Sequence, residues 1–541
     1  MLPIASTPPP CVLFEDEHLL VVNKPAGWNT HAPDRFAGEG IYDWLKHREP
    51  RWAHLAIVQR LDGATSGVLV FGKTALANRS LTAQFTQRSV RKKYLLLTDR
   101  QPAQTRFTVH ARILRAGDHY ITAPHGLAAE TRFTGQVDPQ WLKRISPGLI
   151  RPALPRLHVL IGEPLTGRTH QIRVHAAARG IPILGDTRYG GTPFPRLALH
   201  AAELGLLHPA TQQPLTFTAP VDFPTDPAAA LRAAFIAPTE SDSFRLIHGA
   251  GDGWPGCHVD QLGAFQLSQS EGQLPLPLSQ RLGSRRYHKT LVRHLRGTAG
   301  QLSPQCMAGP PAPERFAIQE NRVKFELSFT EGYSVGLFLD QRDNRRRLLT
   351  GHIAADFAPL TVPGRTTPPE MLNAFAYTCA FSVCAALAGA RTTSLDLSKK
   401  YLAWGRRNFV LNGLHPEPHE FVYGDAFDWL RRWARRGRTF EVVVLDPPTF
   451  SQSKAHGVFR AEKDYGELVA AALPVLARGG VLLASTNAAR LEPQKFLDQI
   501  AGAIRAARRK VAQQHYVPQP PDFPICRAEP AYLKTVWLRV E

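Results

Sequence analysis

Cysteine is scarce in this sequence: the 541 residues include six, and no two of them form a Cys-x-x-Cys pair. This scarcity argues against a disulfide scaffold and a structural zinc site, and it favours a reducing compartment. Acidic residues are also in deficit, since 45 Asp and Glu face 65 Lys and Arg, a formal net charge of +20. Such a surplus indicates either a solvated basic surface or a polyanionic partner, for which RNA, DNA and an anionic membrane all qualify.

Long uncharged runs are rare, and the longest candidate for a membrane span is residues 371–390. Asn373, Tyr377, Thr378 and Ser382 interrupt it. A buried strand, a tight loop and the start of a buried helix therefore explain it better than a span does. The first residues have no cationic start followed by an apolar run, so we expect no signal peptide. We predict a soluble cytoplasmic protein with no membrane partner.

The length predicts several folded units, because single cores stop growing near about 300 residues. Strand-like alternation predicts one domain over residues 1–223. Residues 224–243, rich in Pro, Ala and small polar residues, predict a linker. Residues 244–313 predict a small central subdomain that ends in a Pro-rich junction. Over residues 314–541, strand-like runs alternate with helical stretches, which is typical of a parallel sheet with crossover helices.

Two motifs in the first domain combine residues that suit covalent chemistry. The first is QRLDGATSG (59–67), where Asp62 precedes a Gly-rich turn and a buried strand. A carboxylate held there could act as a nucleophile or a general base if a cation keeps it ionised. The second is GRTHQIRVH (167–175), whose arginines and histidines suit phosphates or a carboxylate partner. Either motif alone is weak, because an isolated Asp in a turn is usually structural.

Together with their neighbours, these motifs resemble the RluA-type pseudouridine synthases in order and spacing. The resemblance covers about residues 10–223. It is carried by these segments: VVNKPAGWNTH (21–31), QRLDGATSG (59–67), RKKYLLL (91–97), AETRF (129–133), GRTHQIRVH (167–175), GIPILGDTRYGG (180–191) and RLALHAAELGLLHP (196–209).

The resemblance implies an α+β mixed-sheet domain that isomerises uridine in RNA without a cofactor. Asp62 would attack the target uridine and free its base, which then turns and rejoins the ribose through carbon 5. Tyr94 would stack on the base and help remove the carbon 5 proton, and Arg173 would pair with Asp62. The implied substrate-binding residues are Arg60, Arg168, His170 and Gln171.

Gln59 departs from the family, which usually has His at this position. Glutamine still offers hydrogen bonds, so we expect altered tuning or target choice, with activity retained. We also expect no separate small RNA-binding domain ahead of the catalytic one, because the first motif begins near residue 21. RNA capture is then expected from elsewhere in the chain.

The C-terminal half places acids at the ends of its predicted strands. They are Asp396 in TTSLDL, Asp425 in VYGDAF, and Asp446 followed by Pro447 and Pro448. Ligands of open α/β sheets lie outside the carboxyl ends of the strands, where these side chains would meet. Asp396 would suit a ribose hydroxyl pair and Asp425 an adenine amino group. For any one of them, a helix cap is an equally good explanation.

The order of these segments resembles the class I S-adenosylmethionine-dependent methyltransferases, and more narrowly the RlmI/RlmK group that modifies 23S rRNA bases. The resemblance spans about residues 244–541 and includes the small central α+β subdomain before a Rossmann-like α/β domain. It is carried by these segments: FRLIHGAGDGWPGCHVDQLGAF (244–265), GLFLDQRDNRR (336–346), NAFAYT (373–378), SLDLSKKYLAWGRRNFVLNGL (394–414), DPPTFSQSK (446–454) and PAYLK (530–534).

By this resemblance the cofactor is S-adenosylmethionine, and Asp446 with its two prolines borders the target base. The implied cofactor residues line the pocket or fix the loop over it. They are Phe338, Asp340, Gln341, Arg345, Asn373, Phe375, Tyr377, Thr378, Asp396, Asp425 and Asp446.

Two departures bear on the methylation chemistry. Cys379-Ala380 replaces a family Gly-Gly, which could reduce cofactor affinity or reshape the loop. Asn487 stands where RlmI-like enzymes have a cysteine, and methylation of cytosine carbon 5 needs a thiolate nucleophile. A guanine ring nitrogen needs only orientation. We therefore favour methylation of a guanine nitrogen and keep cytosine carbon 5 as the alternative.

The resulting hypothesis is a bifunctional enzyme that acts on RNA, expected to be 23S rRNA or a ribosome assembly intermediate, and that uses no metal. The alternatives are that one half survives only as an RNA-binding module, or that the chain methylates a protein. The oligomeric state stays open. Candidate phosphate contacts are Arg88, Arg91, Lys92, Lys93, Arg285, Arg286, Arg431, Arg432, Arg435 and Arg436, each of which could equally be a solvated surface residue.

Overall fold

The computed structural model describes residues 7–146, 157–291, 303–331, 334–360, 367–453 and 457–541. Across these described residues, no helix is both long enough and apolar enough to cross a bilayer.

One eleven-stranded mixed sheet organises the described part of the N-terminal half. Its main path runs β1-β2-β4-β10-β5-β9-β8-β6-β7, with β3 paired to β4 and β11 to β10. The central strand β4, SGVLVFG, is buried along its whole length because helices or other strands cover both faces. The strands are β1 (Val12–Glu15), β2 (Leu19–Lys24), β3 (Ala56–Ile57), β4 (Ser66–Gly72), β5 (Arg91–Thr98), β6 (Arg106–Ala116), β7 (His119–Thr122), β8 (Leu127–Thr134), β9 (His158–Pro164), β10 (Leu199–Leu207) and β11 (Pro214–Thr218).

The helices of this half flank the sheet: α1 (Ile41–Arg48), α2 (Ala75–Thr86), α3 (Pro139–Ile145), α4 (Gln171–Ala178) and α5 (Pro227–Phe235). Helix α5 lies inside the segment predicted as a linker. Asp226 caps it by accepting hydrogen bonds from two backbone amides, and Phe235 packs on Trp28 and Trp44. This segment is therefore a helix seated on the N-terminal core, because its Ala-rich sequence favours helix once an aspartate caps it.

A five-stranded sheet follows in the order β12-β13-β14-β15-β16, and then a hairpin of β17 and β18. A Gly-rich turn joins β12 to β13. Phe265 and Tyr287 share a core with Phe329, so this central unit packs directly on the C-terminal half. The elements are β12 (Ser243–His248), β13 (His258–Leu262), β14 (Phe265–Ser270), α6 (Leu276–Arg281), β15 (Arg286–Thr290), β16 (Gln305–Ala308), β17 (Phe316–Glu320) and β18 (Val323–Leu327).

The C-terminal half is built on a seven-stranded sheet of order β21-β20-β19-β22-β25-β27-β26. The first five strands run parallel, and β27 runs antiparallel to both of its neighbours. This is the strand–helix alternation that the sequence predicts. The strands are β19 (Glu370–Ala374), β20 (Arg391–Asp396), β21 (Glu420–Tyr423), β22 (Phe440–Leu445), β25 (Leu476–Thr486), β26 (Val511–Val517) and β27 (Lys534–Val540), with a separate hairpin of β23 (Phe450–Ser453) and β24 (Gly457–Arg460).

The helices of this half are α7 (Arg342–Thr350), α8 (Ala380–Leu387), α9 (Lys399–Leu411), α10 (Ala426–Arg435), α11 (Ala461–Ala472) and α12 (Pro493–Ala506). The uncharged stretch 371–390 forms most of β19, a tight loop and α8, all largely buried.

Helix α7 joins the two halves through buried arginines. Arg346 donates to Glu49 of the N-terminal half and lies 3.6 Å from Oε2 of Glu240. Arg347 lies 3.7 Å from Oε1 of Glu39. All of these side chains are nine-tenths or more buried. Removing one partner of such a pair would leave an uncompensated buried charge, so the contact fixes how the halves sit together.

Candidate active sites

A cavity of about 680 Å³ opens at the centre of the N-terminal sheet. The residues that the sequence predicts for uridine chemistry all line it: Arg60, Asp62, Tyr94, Arg168, His170, Gln171 and Arg173. They come from three separate segments of the chain, and the sheet brings them to one place. The volume suits a nucleotide-sized ligand, since such pockets commonly measure about 300–1,000 Å³.

Asp62 lies on the loop between β3 and β4. Its Oδ2 is 3.7 Å from Nη1 of Arg173 and 3.7 Å from Nε2 of His170. Burial, which outweighs the neighbouring charges, lowers the pKa of His170. The imidazole is therefore neutral at pH 7, and the guanidinium is the cation that faces Asp62. The side chain of Asp62 is 29% exposed, so the carboxylate can meet a ligand in the cavity.

Arg173 is held by a second acid. Its Nε and Nη2 donate to the two oxygens of Asp186 over 2.8 and 2.7 Å, and the Asp186 side chain is 1% exposed. Burial acts to lower the pKa of Arg173, but Asp186 outweighs it and the pKa is raised. A bidentate pair fixes the plane of the guanidinium. Asp186 therefore orients the arginine whose remaining nitrogen faces Asp62.

Tyr94 sits on β5, between β9 and β10. Burial raises the pKa of its phenol, and the charge of Asp62 raises it further. The ring therefore lines the cavity as a neutral phenol at pH 7. That state suits stacking on a base and donation of a hydrogen bond.

Gln171 has its amide occupied by the protein. It donates to the carbonyl of Glu130 (2.8 Å) and to Oγ1 of Thr131 (2.9 Å). It accepts from Oγ1 of Thr166 (2.6 Å) and from the backbone amide of Arg168 (3.0 Å). We therefore assign Gln171 to holding the loop before α4, because these contacts use its hydrogen-bonding capacity. Arg168 and Arg60 also line the cavity.

Gln59 also lines the cavity, and its Nε2 is buried with no hydrogen-bond partner among the described residues. A buried donor without a partner is costly. This atom is available to an acceptor on a ligand. Arg88 and Lys92, two of the predicted phosphate contacts, line the same cavity.

Lys24 is a residue of this site that sequence reasoning did not single out. Its side chain is fully buried, and Nζ donates to the carbonyls of Pro25 (3.0 Å), Trp28 (2.6 Å) and Gly63 (3.1 Å). Burial lowers its pKa to about 7, although Asp62 acts in the other direction. Gly63 follows Asp62 directly, so Lys24 fixes the loop that carries the acid. A lysine in the middle of an apolar motif was the signal that could have revealed it.

The second site lies at the carboxyl ends of the parallel strands. Between β19 and α8, Phe375, Tyr377 and Cys379 adopt positive φ angles of 62°, 47° and 62°. Cys379 is tolerated because α9 presents Gly405 to it: a methyl group on Gly405 would lie 2.3 Å from Sγ of Cys379. Cys379 carries a side chain where the family has glycine, and Gly405 of α9 leaves the space that this side chain fills. The first amides of α8 have no side-chain cap.

Two predicted acids stand at neighbouring strand ends. Asp396 accepts from the backbone amides of Tyr377 and Ser398, both over 2.8 Å. Asp425 caps α10 by accepting from the amide of Asp428 (3.1 Å) through one of its two oxygens. Asp425 is therefore a helix cap whose second oxygen takes no part in the capping bond. The uncapped helix amides offer hydrogen-bond donors and the two carboxylates offer acceptors, a combination that fits the amino acid, ribose and adenine parts of S-adenosylmethionine.

Asp446 ends β22. Gln341 donates from Nε2 to its Oδ2 (3.2 Å) and to Oγ of Ser485 (2.8 Å). Burial, with the nearby Asp340 carboxyl second, raises the pKa of Asp446 to about 7. Tyr532, in the PAYLK segment, donates to Asp340 over 2.9 Å. These contacts hold two acids and an amide together beside the cofactor loop.

After Asp446, Pro447 is buried, whereas Pro448 and Phe450 are exposed. Phe338 is also exposed and packs on Tyr377, with ring centroids 5.2 Å apart. Lys454, the end of this motif, lies outside the described residues. Phe338 therefore presents an exposed ring beside the cofactor loop, and Pro448 and Phe450 present exposed apolar surface just after Asp446.

Three further predicted cofactor residues point into the protein. Arg345 forms a bidentate pair with Glu320 (2.7 Å to each oxygen) and donates to the carbonyl of Phe338 over 2.8 Å. Asn373 donates to Oγ of Ser382 (3.0 Å), and Thr378 donates to the carbonyl of a glycine in the segment before α7 (2.6 Å). These side chains fix the loops around the pocket, which is one of the two roles that the sequence allows for this set.

Comparisons with known proteins agree with the two sites. The family model of RNA pseudouridylate synthases matches residues 18–178, and that of S-adenosylmethionine-dependent methyltransferases matches residues 285–539.

Three relatives illustrate the match. A ribosomal RNA large subunit methyltransferase of Deinococcus radiodurans is 30% identical over 334 residues, 58% of this chain and 78% of that protein. The ribosomal RNA large subunit methyltransferase I of Klebsiella pneumoniae is 33% identical over 313 residues, 55% of this chain and 74% of that protein. The ribosomal large subunit pseudouridine synthase C of Vibrio vulnificus is 35% identical over 221 residues, 39% of this chain and 65% of that protein.

Proposed function

Because the chain belongs to the family of large-subunit rRNA methyltransferases and carries an RNA pseudouridylate synthase domain ahead of the methyltransferase, we propose that it places two marks on 23S rRNA. One mark is a pseudouridine, formed without a cofactor at Asp62. The other is a methyl group on a guanine ring nitrogen, transferred beside Asp446. The substrate is the free RNA or a ribosome assembly intermediate in the cytoplasm.

The observation that carries the first activity is the Asp62 carboxylate in a cavity of about 680 Å³, facing the guanidinium of Arg173. Asp62 attacks the flipped uridine and the glycosidic bond breaks. The base turns within the cavity, and its carbon 5 bonds to the ribose as the bond to Asp62 breaks, which frees the carboxylate. Carbon 5 then releases its proton. Tyr94 stacks on the base, and the guanidinium of Arg173 faces Asp62 across 3.7 Å.

For the second activity, bound S-adenosylmethionine supplies a methyl group on a positively charged sulfur. Asp396 would accept from the ribose hydroxyls and Asp425 from the adenine amino group, while the uncapped start of α8 would receive the carboxylate of the cofactor. Asp446 and the prolines that follow it border the target base. Gln341 donates to Asp446 and holds it in place, so the target base would meet a carboxyl group of fixed position.

The cysteines beside the cofactor loop argue against cytosine carbon 5 as the target. Burial raises the pKa of both the Cys379 and the Cys384 thiols to about 12. Neither forms a thiolate at neutral pH. Asn487, at the position after β25 where a nucleophile would be expected, is exposed and carries an amide. A guanine nitrogen already has a lone pair and needs no enzyme nucleophile.

Two variants in a deletion strain test the proposal. Asp62→Asn should abolish one pseudouridine and spare the methyl mark, and Asp446→Ala should do the reverse. Asp118→Asn and Asp498→Ala, two exposed acids, are the matched controls and should restore both marks. Mass spectrometry of 23S rRNA fragments reads both marks. If the deletion strain lacks only one mark, the other half serves as an RNA-binding module.

The methylated base is identified in the same digests, as a methylguanosine or a 5-methylcytidine. RNA that contains 5-fluorocytosine adds an independent test, because it traps enzymes that attack cytosine through a nucleophile. We expect no covalent complex. A 5-methylcytidine that depends on this protein, or a trapped adduct, would refute the guanine assignment.

A further inference from the structure

Three side chains with metal-binding atoms meet where the two halves touch. Glu39 precedes α1, His47 lies in the last turn of α1, and His515 lies on β26 of the C-terminal half. Nδ1 of His47 is 2.6 Å from Oε1 of Glu39, and the ring centroids of His47 and His515 are 4.2 Å apart. One ligand atom from each residue lies within 4.8 Å of the others, and no other trio of this kind occurs in the described part of the chain.

A second observation points to a ligand. Nε2 of His515 is buried and has no hydrogen-bond partner among the described residues. An unpaired buried ring nitrogen costs free energy that a bound ion would recover. The geometry therefore leaves this ring nitrogen of His515 available to a ligand.

The acid of the trio is held in place by two neighbours. Oε1 of Glu39 lies 2.6 Å from Nδ1 of His47 and 3.7 Å from Nη2 of Arg347. Its backbone is fixed as well, because its carbonyl accepts from Nε1 of Trp28 over 2.8 Å.

We propose that Glu39, His47 and His515 form a binding site for one divalent transition-metal ion of the zinc class, which joins the two halves of the chain. Two imidazoles and one carboxylate are a common zinc set that leaves the fourth position to water. Ligand atoms around tetrahedral zinc lie about 3.3 Å apart, so small side-chain rotations would suffice. The two nitrogens exclude Mg²⁺ and Ca²⁺, which prefer oxygen.

The surroundings of the trio moderate the affinity. Arg347 is 3.7 Å from Oε1 of Glu39, and Lys46 and His352 interact electrostatically with His515. A dication entering this region meets positive charge and must displace the proton that His47 shares with Glu39. We therefore expect weaker binding than at a closed site of four protein ligands.

The position of the trio gives the ion a structural consequence. The loop before α1 contributes His31 and Pro33 to the uridine cavity. In the same loop, Phe36 packs on Tyr516, the neighbour of His515, with ring centroids 5.1 Å apart. Metal binding would therefore tie the rim of the synthase cavity to an edge strand of the methyltransferase sheet.

The test uses the full chain freed of metal by a chelator and titrated with ZnCl₂ in a calorimeter. We expect one ion per chain. His47→Gln and His515→Gln should each weaken binding by at least about 10- to 100-fold, which is what the loss of a mere outer-shell partner costs. His54→Gln, an exposed histidine near α1, is the matched control and should bind as the wild type does. Wild-type protein that binds no zinc, or variants that bind as tightly as wild type, would overturn the proposal.

Hydrogen exchange of the wild type keeps the test independent of how the variants fold. Added zinc should slow amide exchange in residues 39–48 and 511–517. Cobalt in place of zinc should give a visible spectrum without a thiolate charge-transfer band. A thiolate band, or protection confined to other segments, would place the ion elsewhere and refute the site.

Discussion

Asp186→Asn offers the most direct test of how the synthase site is built. Asp186 holds two nitrogens of Arg173 over 2.8 and 2.7 Å in a buried setting, while Asp62 is 3.7 Å away. Asparagine keeps the shape and one acceptor oxygen but loses the charge. The change therefore leaves Arg173 buried with only the longer ion pair to Asp62.

The size of the effect follows from burial. Breaking a buried ion pair on one side costs about 3–5 kcal/mol. At about 2–4 °C per kcal/mol for a domain of this size, the melting temperature should fall by about 6–20 °C. Because asparagine retains one acceptor oxygen, we expect the fall in melting temperature to lie toward the lower end of this range. The rate of pseudouridine formation should also fall, by about a hundredfold, because a displaced catalytic partner commonly has that effect.

The assays are a thermal melt and single-turnover pseudouridylation of a 23S rRNA fragment. Asp118→Asn is the control, since Asp118 also faces an arginine, Arg188 at 3.7 Å, but is 83% exposed. That exposed pair should contribute little to stability, because solvent screens it. If Asp186→Asn lowered neither the melting temperature nor the rate more than Asp118→Asn does, Asp186 would not be the residue that orients Arg173.

Three other predictions concern single features of the two sites. The pKa of Asp446 in the folded protein, about 7, lies above the ordinary 3.8. The folded protein therefore binds the carboxyl proton more tightly than the unfolded chain does. The stability that this proton supplies is full below pH 3.8 and is lost as the pH rises through 7. Asp446→Asn should therefore raise the melting temperature more at pH 8 than at pH 5, and an equal change at both would contradict this. Gly405→Ala should destabilise the protein by about 1–3 kcal/mol in urea melts, because the new methyl group overlaps Cys379, and adding Cys379→Gly should restore the loss. Gln59→Ala should lower kcat/KM for pseudouridylation by up to about tenfold through one lost hydrogen bond, whereas Gln59→His should retain activity; equal activity of all three proteins would show that Gln59 does not meet the substrate.

Much of the fold was predictable because its signals are local. Strand-like runs in both halves became strands, and the uncharged stretch 371–390 became strand, loop and helix as expected. The segment 224–243 shows the limit of composition. Its prolines and alanines resemble a linker, yet Asp226 caps a helix whose Phe235 packs on Trp28 and Trp44. The domain boundaries that we expect around it stay predictions.

The site residues that belong to sequence motifs could be predicted. The motif around Asp62 and the one around Arg173 were expected to meet, and they line one cavity. The residues that hold them were harder to find: Asp186 lies inside a motif used for the resemblance, but its bond to Arg173 depends on a fold-back of the chain. The interface trio had no sequence signal at all, because His515 is far from Glu39 along the chain.

The buried contact between helix α7 and the N-terminal half has a consequence during synthesis of the protein. Arg346 and its partner Glu49 are 297 residues apart in sequence. At about 5–20 residues per second, a ribosome needs about 15–60 s to supply the arginine after the glutamate has been made. Throughout that interval Glu39 and Glu49 lack their C-terminal arginines, and Glu240 lacks its arginine from the moment it is made. The interior of the N-terminal half is therefore completed only after most of the polypeptide has left the ribosome. If the two halves were made as separate chains, these opposite charges would have to meet when the chains associate.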